Sequence, residues 1–84
     1  MSRKLLKTTE KMNREDAAEK LHNLADKIGE GQVELKAGND SVSLQPGEQV
    51  EFELDVEKED DGDISIEIEV EWTESRDRED IEIQ

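Results

Sequence analysis

Four carboxylates, Glu57, Glu59, Asp61 and Asp63, alternate around Gly62, and clustered oxygen donors of this kind are what a hard cation such as calcium takes as ligands. Read as a calcium loop beginning at Glu57, they fall at positions one, three, five and seven, with Gly62 at six and Ile64 at eight. The pattern then breaks. Position twelve is Ile68, where a bidentate glutamate is needed, and glutamates replace the shorter ligands at one and three. The flanking sequence alternates as strands do, where a calcium-binding hand has helices. The loop is therefore either a cation site or a solvated acidic hairpin turn, and the residues favour the turn.

A second set of carboxylates lies along two alternating segments: Glu51, Glu53 and Asp55 on one, Glu67, Glu69 and Glu71 on the other. If Val56 faces Ile64, then Glu53 faces Glu67 and Glu51 faces Glu69, so like charges stand opposite one another and weaken the sheet in dilute salt. Three chemistries suit such a face: hydration by nonspecific monovalent cations, docking of a basic protein partner, or a defined metal site. The first asks least of the geometry. The opposite charge collects at the N-terminus, where Arg3, Lys4, Lys7, Lys11 and Arg14 form a basic arm with no interleaved aromatic residue. That arm is either a phosphate contact or a solvated, charge-balancing segment.

The parts for catalysis are few. There is no cysteine and no tyrosine, and the single histidine, His22, sits at the border of a helical stripe without a serine and acid arranged around it. No glycine-rich phosphate loop is present. The many carboxylates alternate on what should be an open face, whereas general acid and base work needs a sheltered carboxyl with a shifted pKa. The expectation is a protein without enzyme activity and without a cofactor. Trp72, the sole tryptophan, closes the last strand on the inward parity and is expected as a lid on the core, with an interface anchor as the alternative.

These residues need elements to hold them. Asn13, followed three positions later by Asp16, reads as an N-cap, and Glu15 and Asp16 suit the positive start of a helix beginning at Arg14. Ala17, Ala18, Leu21, Leu24, Ala25 and Ile28 recur at the helical period, and Gly29 is the expected stop. From Val33 the period becomes two. Val33 and Leu35 pair with Val42 and Leu44 across a turn at Gly38 and Asn39, and a proline-then-glycine turn at Pro46 and Gly47 leads onward. Val50, Phe52, Leu54 and Val56 then alternate with acids, as do Ile64, Ile66, Ile68, Val70 and Trp72 after the loop. The predicted fold is α+β: one amphipathic helix packed on one face of a four-stranded antiparallel meander. Six helical and thirteen strand positions are the candidate core, enough for a marginal domain. Residues 1–12 are either a basic arm or a short edge strand, residues 13–72 a single domain, and residues 73–84 an acidic tail in which Ile81 and Ile83 allow a brief edge pairing.

The whole chain has 84 residues and a net charge of −14. The charge is uneven: residues 1–36 hold eight basic and seven acidic groups, net +1, while residues 37–84 hold three basic and eighteen acidic, net −15. Self-repulsion on that scale calls for screening by concentrated salt, which points to the cytoplasm of a halophile. It also opposes nucleic-acid binding by anything but the arm. No apolar segment long enough for a leader or a membrane span is found, so the expected location is cytoplasmic, with no membrane partner.

The chain resembles the Amphi-Trp domain proteins over roughly Arg14 to Trp72. The resemblance is carried by Arg14-Glu15-Asp16-Ala17-Ala18-Glu19-Lys20-Leu21, by Leu24-Ala25, by Gly31 with Val33 and Leu35, by Pro46, and by Ile66-Glu67-Ile68-Glu69-Val70-Glu71-Trp72. It implies a prokaryotic, often haloarchaeal protein with the fold just described, and it carries over no catalytic or binding residue. The leading expectation is a non-enzymatic interaction module that uses sheet edges or its acidic face to bind an unidentified protein or a second copy. Cation binding at the Glu57–Asp63 loop is the alternative, and nucleic-acid contact through the arm ranks third.

Overall fold

The computed structural model describes residues 2–74. The tail beyond, including the suggested pairing through Ile81 and Ile83, lies outside the described residues. One helix and four antiparallel strands follow in the order α1 (Arg14–Glu30), β1 (Val33–Ala37), β2 (Asp40–Leu44), β3 (Glu51–Lys58) and β4 (Ile64–Glu71), an α+β chain. The strands pair as two two-stranded sheets, β1 with β2 and β3 with β4, in place of one continuous four-stranded meander. The chain divides into two compact units between Pro46 and Gly47.

The reason lies in the connection. A proline-glycine turn of type II needs a positive φ at the glycine, and Gly47 does not have one. Residues 45–50 therefore run as an irregular link with a bend at Glu48 and Gln49. Residues 2–12 contain no helix or strand, so the edge strand considered for the arm is not formed.

In the first unit, α1 starts as its sequence dictates. The Asp16 backbone N–H donates to Asn13 Oδ1 at 2.8 Å, satisfying one of the unpaired donors of the first turn. The helix passes through Gly29 and ends two residues later than expected. Gly31, at φ 85°, donates to the carbonyls of Ile28 and Lys27, and Gln32 donates to Lys27 at 3.2 Å. This closure leaves no need for Gly29 as the stop, because Gly31 supplies the left-handed residue that the 6→1 bond requires. Ala17, Leu24 and Ile28 are half-buried, whereas Ala18, Leu21 and Ala25 are exposed. The helix packs on β1, where Val33 is 2% exposed and the only buried apolar residue among those described.

The β1–β2 hairpin turns through Gly38 and Asn39, with Ala37 opposite Asp40. Gly38 has φ 62° and Asn39 a negative φ, the pattern of a type II′ turn with glycine first, whose twist matches that of the strands. Leu35, Val42 and Leu44 are half-buried on the face that carries Val33.

Candidate functional site

The second unit, from Gly47 onward, holds most of the residues singled out for chemistry. Its two eight-residue strands alternate without interruption, so one face of the hairpin is apolar and the other acidic. The register places Glu51 opposite Glu71, Glu53 opposite Glu69, and Asp55 opposite Glu67. This differs by two residues from the expected pairing, since Val56 faces Ile66 and not Ile64. The difference arises at the loop. β3 runs on to Lys58, and Glu59 N–H donates to the Asp63 carbonyl at 2.8 Å while Gly62 N–H donates to the Glu59 carbonyl at 2.9 Å. With Gly62 at φ 97°, this is a three-residue loop of a type I turn followed by a left-handed residue. A slip of two leaves every side chain on its face, so the carboxylates still confront one another, with new partners.

The three facing pairs form a ladder on the open side of the sheet, with a shallow concavity between Glu53, Asp55, Glu67 and Glu69. The Glu69 carboxyl is held above the ordinary glutamate value of 4.5, first by a side-chain hydrogen bond with Glu53, then by the charges of Glu71 and Glu53, with smaller contributions from desolvation and Glu51. A hydrogen bond between two carboxyl groups needs one of them to keep its proton, which is how crowded carboxylates relieve their repulsion. Glu69 therefore holds its proton to a higher pH than an isolated glutamate.

The loop acids are spent differently. Asp61 Oδ1 accepts from the Asp63 backbone N–H at 3.0 Å, so this carboxylate braces the turn. Glu57 belongs to β3, opposite Ser65, while Glu59 flanks the turn. Among the described residues, no group of three or more His, Cys, Asp or Glu side chains comes together to hold a metal ion. The calcium-like spacing is thus read by the backbone as a hairpin loop.

The apolar face is the feature that sequence reasoning misplaced. Phe52, Leu54, Val56, Ile64 and Ile66 were assigned to a core, yet they are 58–67% exposed, Ile68 is 48% exposed and Val50 is 42% exposed. Only Val70 and Trp72 are half-buried. Trp72 lies just past β4 beside Gly47: a β-carbon built at Gly47 stands 3.8 Å from Trp72 Cβ and 4.0 Å from its Cδ1. One charge shares the apolar face. Lys58, opposite Ile64, has the same parity as Phe52, Leu54 and Val56, and it is the only cation between residues 47 and 74, against thirteen carboxylates. The alternation in the sequence already carried this signal, because it puts Lys58 on the side of the isoleucines.

The remaining candidates are in the first unit. Arg3, Lys4, Lys7, Lys11 and Arg14 are exposed, and Lys11 shares a shallow depression with Asp16, Glu19 and Lys20, so its surroundings are mixed in charge. His22 is exposed on α1. The single ion pair among the described residues joins Lys27 Nζ to Glu30 Oε1 at 3.8 Å, both side chains well exposed. No described helix is long and apolar enough to cross a membrane.

No curated protein and no solved structure matches this sequence. A family model does, that of the Amphi-Trp domain, and it matches residues 1–84, the entire chain. The ladder of apolar and acidic positions that ends in Trp72 is the kind of segment the family name describes, and the chain belongs to the Amphi-Trp domain family.

Proposed function

We propose that this chain is a small non-enzymatic protein-interaction module of a salt-adapted cytoplasm, and that its β3–β4 hairpin is the binding element. The observation that carries this reading is the two-faced hairpin: a row of exposed apolar residues on one side, five of them 58–67% exposed, carboxylates on the other, and both strand edges unpaired among the described residues. Exposed apolar area of that extent marks contact surfaces, and open edges accept a further strand. The acidic side keeps the module hydrated and repels other anions, which leaves recognition to the apolar side and the edges. The scarcity of ion pairs among the described residues supports the salt-adapted setting, since the ladder charges are left to counter-ions.

The test is chemical cross-linking of the native chain at molar potassium chloride, compared with Ile66→Lys. Cross-linked species, homotypic or heterotypic, that form with the native chain and are lost with Ile66→Lys support the reading. A native chain that cross-links to nothing, itself included, removes it.

A further inference from the structure

We infer that the apolar face of the β3–β4 hairpin is covered by the same face of a second copy of this chain, packed with the strands antiparallel about a two-fold axis that crosses them. The inference rests on the interaction reading above and names the partner.

A two-stranded hairpin alone is marginal in water, and a hydrophobic face must be packed against something for such a unit to be stable. Among the described residues the unit beginning at Gly47 has no third element to do this, since β3 and β4 are the only strands and there is no helix. The area is sufficient. Seven exposed apolar residues, from Val50 to Ile68, at about 100 Å² each give two copies up to roughly 1,400 Å², which lies in the range of specific interfaces. The face is also patterned alike on both strands, which suits an isologous contact.

Charge selects the arrangement. Packing apolar face on apolar face, with the sheets about 10 Å apart, turns both carboxylate ladders outward to opposite surfaces. Edge pairing between copies does the reverse: β4 against its copy sets Glu67, Glu69 and Glu71 among their equivalents, and β3 sets Glu51, Glu53, Asp55 and Glu57 likewise. Of the two face-to-face orientations, an axis along the strands, between β3 and β4, puts both Lys58 at the same end, each over Ile64 of the other copy. An axis across them brings Leu54 over Leu54, near the middle of the ladder, and carries each Lys58 to the far end of the other hairpin. There it lies just past the Glu51–Glu71 pair, at the end of the ladder where Val50 and Trp72 follow in the sequence. The only cation of the segment is thus brought to the end that carries the aromatic ring.

The experiment is sedimentation equilibrium of the full chain in molar potassium chloride over a wide concentration range, with amide exchange followed in parallel. The expected result is a monomer–dimer equilibrium that Ile66→Lys abolishes, that Lys58→Glu weakens at least tenfold, and that Lys58→Arg and Glu67→Gln leave within twofold. Lys58 is exposed, so Lys58→Glu tests the arrangement even if Ile66→Lys fails to fold. A dimer indifferent to Lys58→Glu and Ile66→Lys overturns this packing and leaves the interaction reading standing. A monomer at every concentration also overturns it. In that case slow exchange across β3 and β4 shows the chain covering its own face and removes the interaction reading too, whereas fast exchange leaves that reading with a different partner.

Discussion

Glu69 stands opposite Glu53 with Glu51 and Glu71 beside them, and its carboxyl is raised above the ordinary value because a proton between Glu53 and Glu69 is worth more in the folded ladder than in the unfolded chain. The sign follows. A raised carboxyl contributes stability that is complete below the unfolded value near 4.5 and is lost as pH rises through the folded value. In dilute salt the hairpin is therefore expected to gain stability as pH falls from neutral toward that region, opposite to the usual acid destabilisation of a paired carboxylate. Glu69→Gln keeps a donor for Glu53 and removes the charge, so it should flatten this dependence and stabilise the hairpin at neutral pH. Urea midpoints followed by Trp72 fluorescence, native against Glu69→Gln, check this. A midpoint that falls on acidification in both chains would mean that the Glu53–Glu69 bond does not govern the hairpin.

Elements begin and end where single residues let the backbone turn, and two glycines make contrasting cases. Gly31 has φ 85° and closes α1 through bonds to Lys27 and Ile28, so Gly31→Ala forces an L side chain into the left-handed region, at a cost of about 1–2 kcal/mol. Gly47 has no positive φ, and an added methyl there meets Trp72 at ordinary contact distance, so Gly47→Ala should be neutral or stabilise by about 0.4–1 kcal/mol. Denaturant curves by circular dichroism for the two variants measure both effects, and equal losses would contradict the assigned backbone conformations. The same residues show what was legible beforehand. The Asn13 cap, the hairpin turn at Gly38 and the two faces of β3 and β4 follow from residue type and period alone. The helix stop was placed at Gly29 because either glycine ends a helix by composition, and only the closing bonds to Gly31 distinguish them. The ladder register slipped by two because alternation is indifferent to even shifts, and the loop that sets it depends on the conformation of Gly62.

For the whole molecule the governing quantity is the net charge of −14, gathered on the side of the chain that contains the ladder and opposed by a single exposed ion pair among the described residues. Repulsion of this kind is long-ranged in dilute solution and falls within a few ångströms at molar salt. The expected outcome of a potassium chloride series is a steep gain in β-sheet signal and Trp72 burial between dilute and molar salt, with equimolar calcium adding nothing in dilute salt. Far-ultraviolet circular dichroism and fluorescence measure it. Stoichiometric rescue by calcium would return the Glu57–Asp63 loop to consideration as a cation site, and full folding in dilute salt would mean that the carboxylates are not held apart by screening.

By itself the sequence determined the α+β class, the family, the elements to within a residue or two, and the two faces of the second hairpin, because periodicity, caps and turn residues act over a few neighbours. Whether β2 also pairs with β3, the register of the second hairpin, and which apolar residues are covered were decided only in the tertiary structure. Pairing depends on whether a link such as residues 45–50 turns back or runs on, and burial depends on what surrounds a face, and neither is written in the alternation of the face itself.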